Sequence, residues 1–282
     1  MAPRHGKKIA SISKGSIDST LVAGFEDSTT AHASLLVGCD GSHSKVRSLL
    51  LGPDLAKNQD LGVTMFNFSC YYPEDVARLL RTRHPVFKNC YHPDGTMYWL
   101  STQGVQDPDK PETWMYQSIV SWRGAPYPQD LPDQAARTAF MKKKAAAFAE
   151  PWRSAGLRIP EDLAFPADRC SQWKVPASWA DVPLTGLVTL AGDAAHTMPP
   201  HRGQGLNNAL EDAARLNDQI KAAVAGQKSL KDALSDYGEE MRERTSREVD
   251  LSAKQAMMSH DFQSIIDSPL AKMGVRKQEK VL

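Results

Sequence analysis

Apolar residues fall into short runs over most of the chain and into helical repeats near its end. Residues 7–12 and 18–25 predict strands, with Ile9, Ile12, Leu21, Val22 and Phe25 as the apolar positions. Glu26-Asp27-Ser28-Thr29 predicts a polar turn. The run at 33–38 passes through Cys39-Asp40-Gly41-Ser42 into an amphipathic stretch at 44–51, which reads as strand, tight turn, helix. From about 59 to about 172, strand-like runs (62–71, 96–102, 113–122) alternate with helical ones (74–83, 132–149). Pro108, Pro111, Gly124, Pro126, Pro128 and Pro132 punctuate them, so this stretch reads as a separate sheet-containing region. The strand signal returns at 186–191. Residues 203–224 then place Leu206, Ala209, Leu210, Ala213, Leu216, Ile220 and Val224 at helical spacing, predicting one buried face. A second long helix is expected over about 229–258, with Leu230, Leu234, Tyr237, Met241 and Val249 inward. The polar tail after Pro269 is expected to be mobile.

Composition narrows the function classes. The 282 residues carry 34 Lys+Arg against 33 Asp+Glu, a net charge of +1 that offers no global attraction for nucleic acid or a membrane surface. No stretch approaches the roughly 20 apolar residues a membrane span needs. The basic N-terminus has no apolar segment behind it, so no secretory signal is expected and the chain is placed in the cytoplasm. Cys39, Cys70, Cys90 and Cys170 have neither zinc-site nor disulfide-scaffold spacing and read as reduced thiols. Lys142-Lys143-Lys144 reads as a solvated helix face.

The chemistry concentrates at 186–216, GLVTLAGDAAHTMPPHRGQGLNNALEDAARL. A buried strand ends in Gly192-Asp193, and Pro199-Pro200 and Gly203-Gln204-Gly205 lead into a helix near Leu206. A carboxylate at a strand's carboxyl end sits where α/β sheets place ligands, and it can accept hydrogen bonds from a polyol. Gly203 and Gly205 let a ligand approach the backbone. The helix start offers free N–H groups and about half a unit of positive charge. A flat ring that becomes negative on reduction is stabilised there. A strand, a Gly-rich turn and a core helix, with Asp193 as a helix-preceding cap, explain the same residues without a ligand, and both readings stay open on the residues alone.

The stretch GDAAHTMPPHRGQGLNNALEDA resembles the second flavin-binding motif of the class A flavoprotein monooxygenases, the para-hydroxybenzoate and salicylate hydroxylase group. LLVGCDGSHSKVR resembles their D-G-x-x-S-x-V-R motif, here Asp40, Gly41, Ser44, Val46 and Arg47. The two motifs stand in the family's order with a strand-rich region between them, and the resemblance covers roughly 18–258. It implies an α/β fold: an incomplete FAD-binding domain of the Rossmann-like, glutathione-reductase type over 1–58 and 173–282, a β-sheet substrate domain over 59–172, and long C-terminal helices. It implies that Asp193, after Gly192, binds the ribityl hydroxyls of FAD, that Pro200 packs near the isoalloxazine, and that Gly203, Gly205, Leu206 and Asn207 present backbone to its N1/O2 side. Asp40 and Gly41 are implied near the pyrophosphate, and the segment to Arg47 in handling NAD(P)H. Arg202 departs from the family, where a small or apolar residue is common. The implied activity is NAD(P)H- and O2-dependent hydroxylation of a small aromatic or polyketide-like substrate through a flavin C4a-hydroperoxide. His196 is expected to support its loop, and neither His196 nor His201 is expected to catalyse. Of Tyr71, Tyr91, Tyr98, Trp99 and Trp114, at most one or two are expected to touch a ligand.

The G-x-G-x-x-G fingerprint that the family uses for the FAD pyrophosphate is not in this sequence: the only Gly-x-Gly pair is Gly203 and Gly205, with Asn208 third. The chain therefore reads as an N-terminally truncated member, expected to bind FAD weakly and to fold poorly alone. The competing reading is a catalytically inactive remnant that acts as a binding fragment. A flavin halogenase is set aside because no W-x-W-x-I-P motif is present. Oligomeric state and substrate identity are open at this stage.

Overall fold

The structure is a computed structural model that describes residues 4–17, 19–82, 84–176, 184 and 186–268. The expected tail after Pro269 lies outside the described residues. The chain divides into two compact units, Met1–Gln59 with Ser171–Lys254, and Asp60–Cys170 with Gln255–Leu282. The reading of 173–282 as one piece thus differs from the structure, where the segment beyond 254 belongs to the second unit. There His260 Nε2 lies 3.0 Å from Ser121 Oγ and its Nδ1 lies 2.6 Å from Ala256 O, which ties this segment to the second unit's sheet.

The first unit opens with a three-stranded antiparallel sheet, β1 (Ile9–Lys14), β2 (Leu21–Phe25) and β3 (Thr30–Ala33). Next comes β4 (Leu36–Gly38), which pairs in parallel with β10 (Val188–Leu190) in the register Leu36↔Val188 to Gly38↔Leu190. All three β10 residues are buried, as expected for a strand covered on both faces. Helix α1 (Lys45–Leu55) starts where Ser44 Oγ accepts the Arg47 N–H, and its regular part ends at Gly52-Pro53, as the amphipathic stretch to 51 predicts. After β10 come a single turn, α5 (Asp193–His196), and two long helices, α6 (Gly205–Val224) and α7 (Leu230–Met258). Helix α7 buries Leu234, Tyr237, Met241 and Val249 as expected, and Tyr237 donates to Leu190 O at 2.9 Å.

Helix α6 departs from expectation. Its buried residues are Asn208, Asp212 and Leu216, whereas Leu206 and Leu210 are 70% and 61% exposed. The inward stripe begins polar, and the apolar stripe faces elsewhere.

In the second unit, β5 (Gln59–Cys70), β6 (Phe87–Tyr91), β7 (Met97–Val105), β8 (Trp114–Arg123) and β9 (Ala167–Gln172) form one sheet in the order β6-β7-β8-β5-β9. One face carries Phe66, Phe68, Tyr98, Leu100, Tyr116 and Trp122 against α2 (Glu74–Leu80), α3 (Gln134–Ala145) and α4 (Trp152–Leu157). Phe66 meets Trp122 edge-on at 4.9 Å. Of the aromatic candidates here, Tyr98 and Trp114 are core, Tyr91 and Trp99 are half-buried, and Tyr71 is exposed. A last short helix, α8 (Phe262–Asp267), ends the described chain.

Candidate cofactor-binding site

The parallel strands β4 and β10 both run into glycine-containing turns at their carboxyl ends, Cys39-Asp40-Gly41 and Ala191-Gly192-Asp193. Between these turns and α6 lies a cleft of about 610 Å³ lined by Val37, Cys39, Gly41, Ala191, Gly192, Asp193, Gly205, Leu206, Ala209, Ala213 and Leu216. That volume is in the range of small-molecule sites. Leu206, Ala209, Ala213 and the buried Leu216 of α6 form one wall of this cleft, which explains the exposure of Leu206, whereas Leu210 lies outside it.

The polar groups of the cleft converge on one end. Asp193 is exposed, and its carboxylate takes no hydrogen bond or ion pair from the described residues. Its backbone oxygen is fully used, accepting from Thr197 Oγ1 at 2.7 Å. Helix α6 begins without a side-chain cap or an acidic residue in its first turn, so the amides of Gly205, Leu206 and Asn207 are left to a ligand or to solvent. Gly41 (φ +81°) and Gly203 (φ +64°) sit in the left-handed region, and a Cβ at either would meet nothing within 4 Å. A lone carboxylate facing uncapped amides, between glycines that leave the backbone open, suits a ligand that is a polyol on one side and a flat acceptor on the other. The residues fit a flavin.

Comparison with known proteins agrees with this geometry. The FAD binding domain family matches residues 13–252. The FAD-dependent monooxygenase phnB of Penicillium herquei is 32% identical over 96% of this chain and 66% of its own length, and cctM of Talaromyces islandicus is 34% identical over 98% and 68%. This chain belongs to the FAD-dependent monooxygenase family. Solved structures share the monooxygenase fold: 2,6-dihydroxypyridine-3-hydroxylase from Arthrobacter nicotinovorans (TM-score 0.73, 19% identity, 90% of this chain and 64% of that one) and Klebsiella pneumoniae HpxO with FAD and uric acid (0.71, 19%, 92% and 60%). The chain spans about two thirds of the length of the curated monooxygenases it matches.

Of the ten residues singled out in the sequence, Gly41, Gly192, Asp193, Gly205 and Leu206 line the cleft. Pro200 is exposed at the head of a short turn that ends at Gly203, and Asn207 is exposed on the first turn of α6. Asp40 turns back on its own chain, accepting from Ser44 Oγ at 2.5 Å, Lys45 N at 2.7 Å and Val46 N at 3.0 Å, and so caps α1. Arg47 does not open to the cleft. It is 2% exposed, and its guanidinium donates to Ala56 O, Ala194 O, Ser42 O and Asn58 Oδ1 at 2.7–3.1 Å while lying 4.5 Å from the centre of the Trp173 ring. A side chain so committed ties the turn after β4 to the turn after β10. Arg202, the departure from the family pattern, pairs with Glu248 at 2.7 Å.

Two residues of this site were not singled out in the sequence. Cys39 is an exposed residue that lines the cleft, and partial burial of its thiol, with the charges of Asp40 and Asp212, pushes its pKa up. Asp212 on α6 is fully buried. Its Oδ2 lies 2.7 Å from Gly192 N and 2.6 Å from His196 Nε2, and its Oδ1 accepts from Arg244 Nη2 at 2.8 Å. Burial alone would raise its pKa, but the contacts from His196, Arg244 and Gly192 outweigh burial and hold it below the usual carboxylate value. Since a carboxylate only accepts, Nε2 of His196 carries the proton in this contact. His196 supports its loop in this structure.

Proposed function

We propose that this chain binds FAD in the cleft between β4, β10 and α6 and serves NAD(P)H- and O2-dependent hydroxylation of a small aromatic or polyketide-like compound. The observation that carries the reading is the unpartnered Asp193 carboxylate opposite the uncapped amides of α6. In it, Asp193 accepts from ribityl hydroxyls, and the amides of Gly205, Leu206 and Asn207 with the positive end of α6 face the N1/O2 side of the ring. Asp40, by capping α1, holds Gly41 open toward the pyrophosphate. FAD held there would supply the redox chemistry, namely hydride acceptance from the nicotinamide and activation of O2. The chain supplies position and a dry wall: Val37, Ala191, Ala209, Ala213 and Leu216 exclude water beside the ring. Asp193 is the only ionisable carboxylate among the lining residues, so the cleft positions the cofactor rather than offering an acid–base pair. The substrate class follows relatives such as the 6-methylsalicylate 1-monooxygenase atA of Aspergillus terreus, 28% identical over 80% of this chain.

Titrating the chain with FAD and following flavin fluorescence tests the site. Saturable binding at one site per chain is expected, and Asp193→Ala should weaken it about tenfold to a hundredfold, the worth of hydrogen bonds to a charged acceptor. Equal affinity in Asp193→Ala removes the assignment. Flavin uptake without FAD-dependent oxidation of NADPH or NADH favours the binding-only reading instead.

A further inference from the structure

The flavin cradle has two halves: the turn that carries Asp193 and the bend that opens α6. They approach closely: a built Cβ on Gly205 would stand 3.8 Å from Asp193 Oδ1, and one on Gly192 would stand 3.5 Å from Ala209 Cβ. Beside them runs a polar chain built on the fully buried Asp212 and the buried Asn208. Asp212 takes the Gly192 N–H and the His196 ring on one oxygen and Arg244 on the other. Arg244 also donates to Asn208 Oδ1 at 2.9 Å, and Asn208 Nδ2 donates to Gln204 O at 2.9 Å. Gln204 lies in the bend itself. Glu240 steadies Arg244 from one turn away at 2.8 Å. The chain thus starts at the amide of Gly192, beside Asp193, and ends at the carbonyl of Gln204, beside Gly205.

We propose that Asp212 and Arg244 are positioning residues that set the spacing between the Asp193 carboxylate and the amides of the α6 bend. This rests on the flavin reading above. Three donors share the two oxygens of Asp212, so no neutral isostere satisfies them. Asp212→Asn presents one oxygen and one NH2, and whichever way the amide turns, a donor faces a donor. Because the group is buried, water cannot fill in. The outcome is a shift in one half of the cradle relative to the other, with Asp193 and the amides all still present.

The test compares Asp212→Asn, Arg244→Met and Arg244→Lys with the native chain. Three quantities are read: FAD affinity per folded molecule, the visible circular dichroism of added FAD, and amide exchange of peptides spanning 188–196 and 203–209 without FAD. The expected result for Asp212→Asn and Arg244→Met is about tenfold weaker FAD binding, an altered dichroic band, and faster exchange in both peptides together while 114–123 is unchanged. Arg244→Lys, which keeps one charged donor, should recover part of the affinity. The proposal is overturned if the variants lower the melting temperature but leave affinity and dichroism per folded molecule as in the native chain, or if only one peptide loosens. Should Asp212→Asn not fold, the Arg244 pair decides. A native chain that takes up no FAD removes the function proposed above, whereas the exchange arm still decides whether the two segments are coupled.

Discussion

Arg47 shows how a residue can belong to a cofactor motif without facing the cofactor. Its planar group is matched to four acceptors from three places in the sequence, and a lysine has one nitrogen for that task. Arg47→Lys should therefore destabilise the chain by about 2–4 kcal/mol, since buried carbonyls are left unpaired, and the change should appear as a lower midpoint in urea. Asp212 sets a pH dependence of definite sign. Its folded pKa lies below the ordinary 3.8, so its contribution is complete above that value and fades as pH falls from 3.8 toward the lowered one. Unfolding at acid pH followed by tryptophan fluorescence should show a stability decline in that window. Asp212→Asn should show a flatter one. Besides His196 and Arg244, the groups near it include Tyr237 and Cys39, both pushed up by burial and so far from that window.

At the scale of elements, α6 separates pattern from environment. Leu210 and Leu216 both fall on the predicted buried face, yet they lie about 120° apart around the helix, and one is 61% and the other 6% exposed. Leu216→Ala should cost about 2–4 kcal/mol, whereas Leu210→Ser should stay within about 0.5 kcal/mol; thermal melts of the two variants check the contrast. Periodicity located the helix because it needs only local spacing. It did not tell which flank meets the core, because a cleft wall and a core face are both apolar. The turns after β4 and β10 were legible for a similar reason: their glycines and aspartates act on neighbours within six residues, as Asp40 does on Val46. Asp212 escaped notice because its partners stand 20, 16 and 32 residues away, and nothing in its own surroundings marks it as buried. Short mixed strands such as β3, TAHA, and β9, ADRCSQ, carry too little alternation to be seen without their sheet partners.

Over the whole molecule, the chain leaves the first unit at Gln59, builds the second, and returns at Ser171. The cleft belongs to the first unit alone. FAD at a hundred times its Kd should therefore add about 2.7 kcal/mol to that unit's stability, slowing amide exchange at 36–41, 188–193 and 205–209 while 97–105 keeps its native rate. Among the described residues no helix is long and apolar enough to cross a membrane. The position of Cys39 supplies a way to watch the cleft fill. Of the four cysteines it alone is an exposed residue, Cys70 and Cys170 being buried and Cys90 intermediate. With its pKa held high by its surroundings, it should alkylate slowly at neutral pH and faster as the medium turns alkaline. A maleimide dye then becomes a stopwatch: incorporation at this one sulfur should stall in step with flavin occupancy, giving a colour-independent count of loaded molecules.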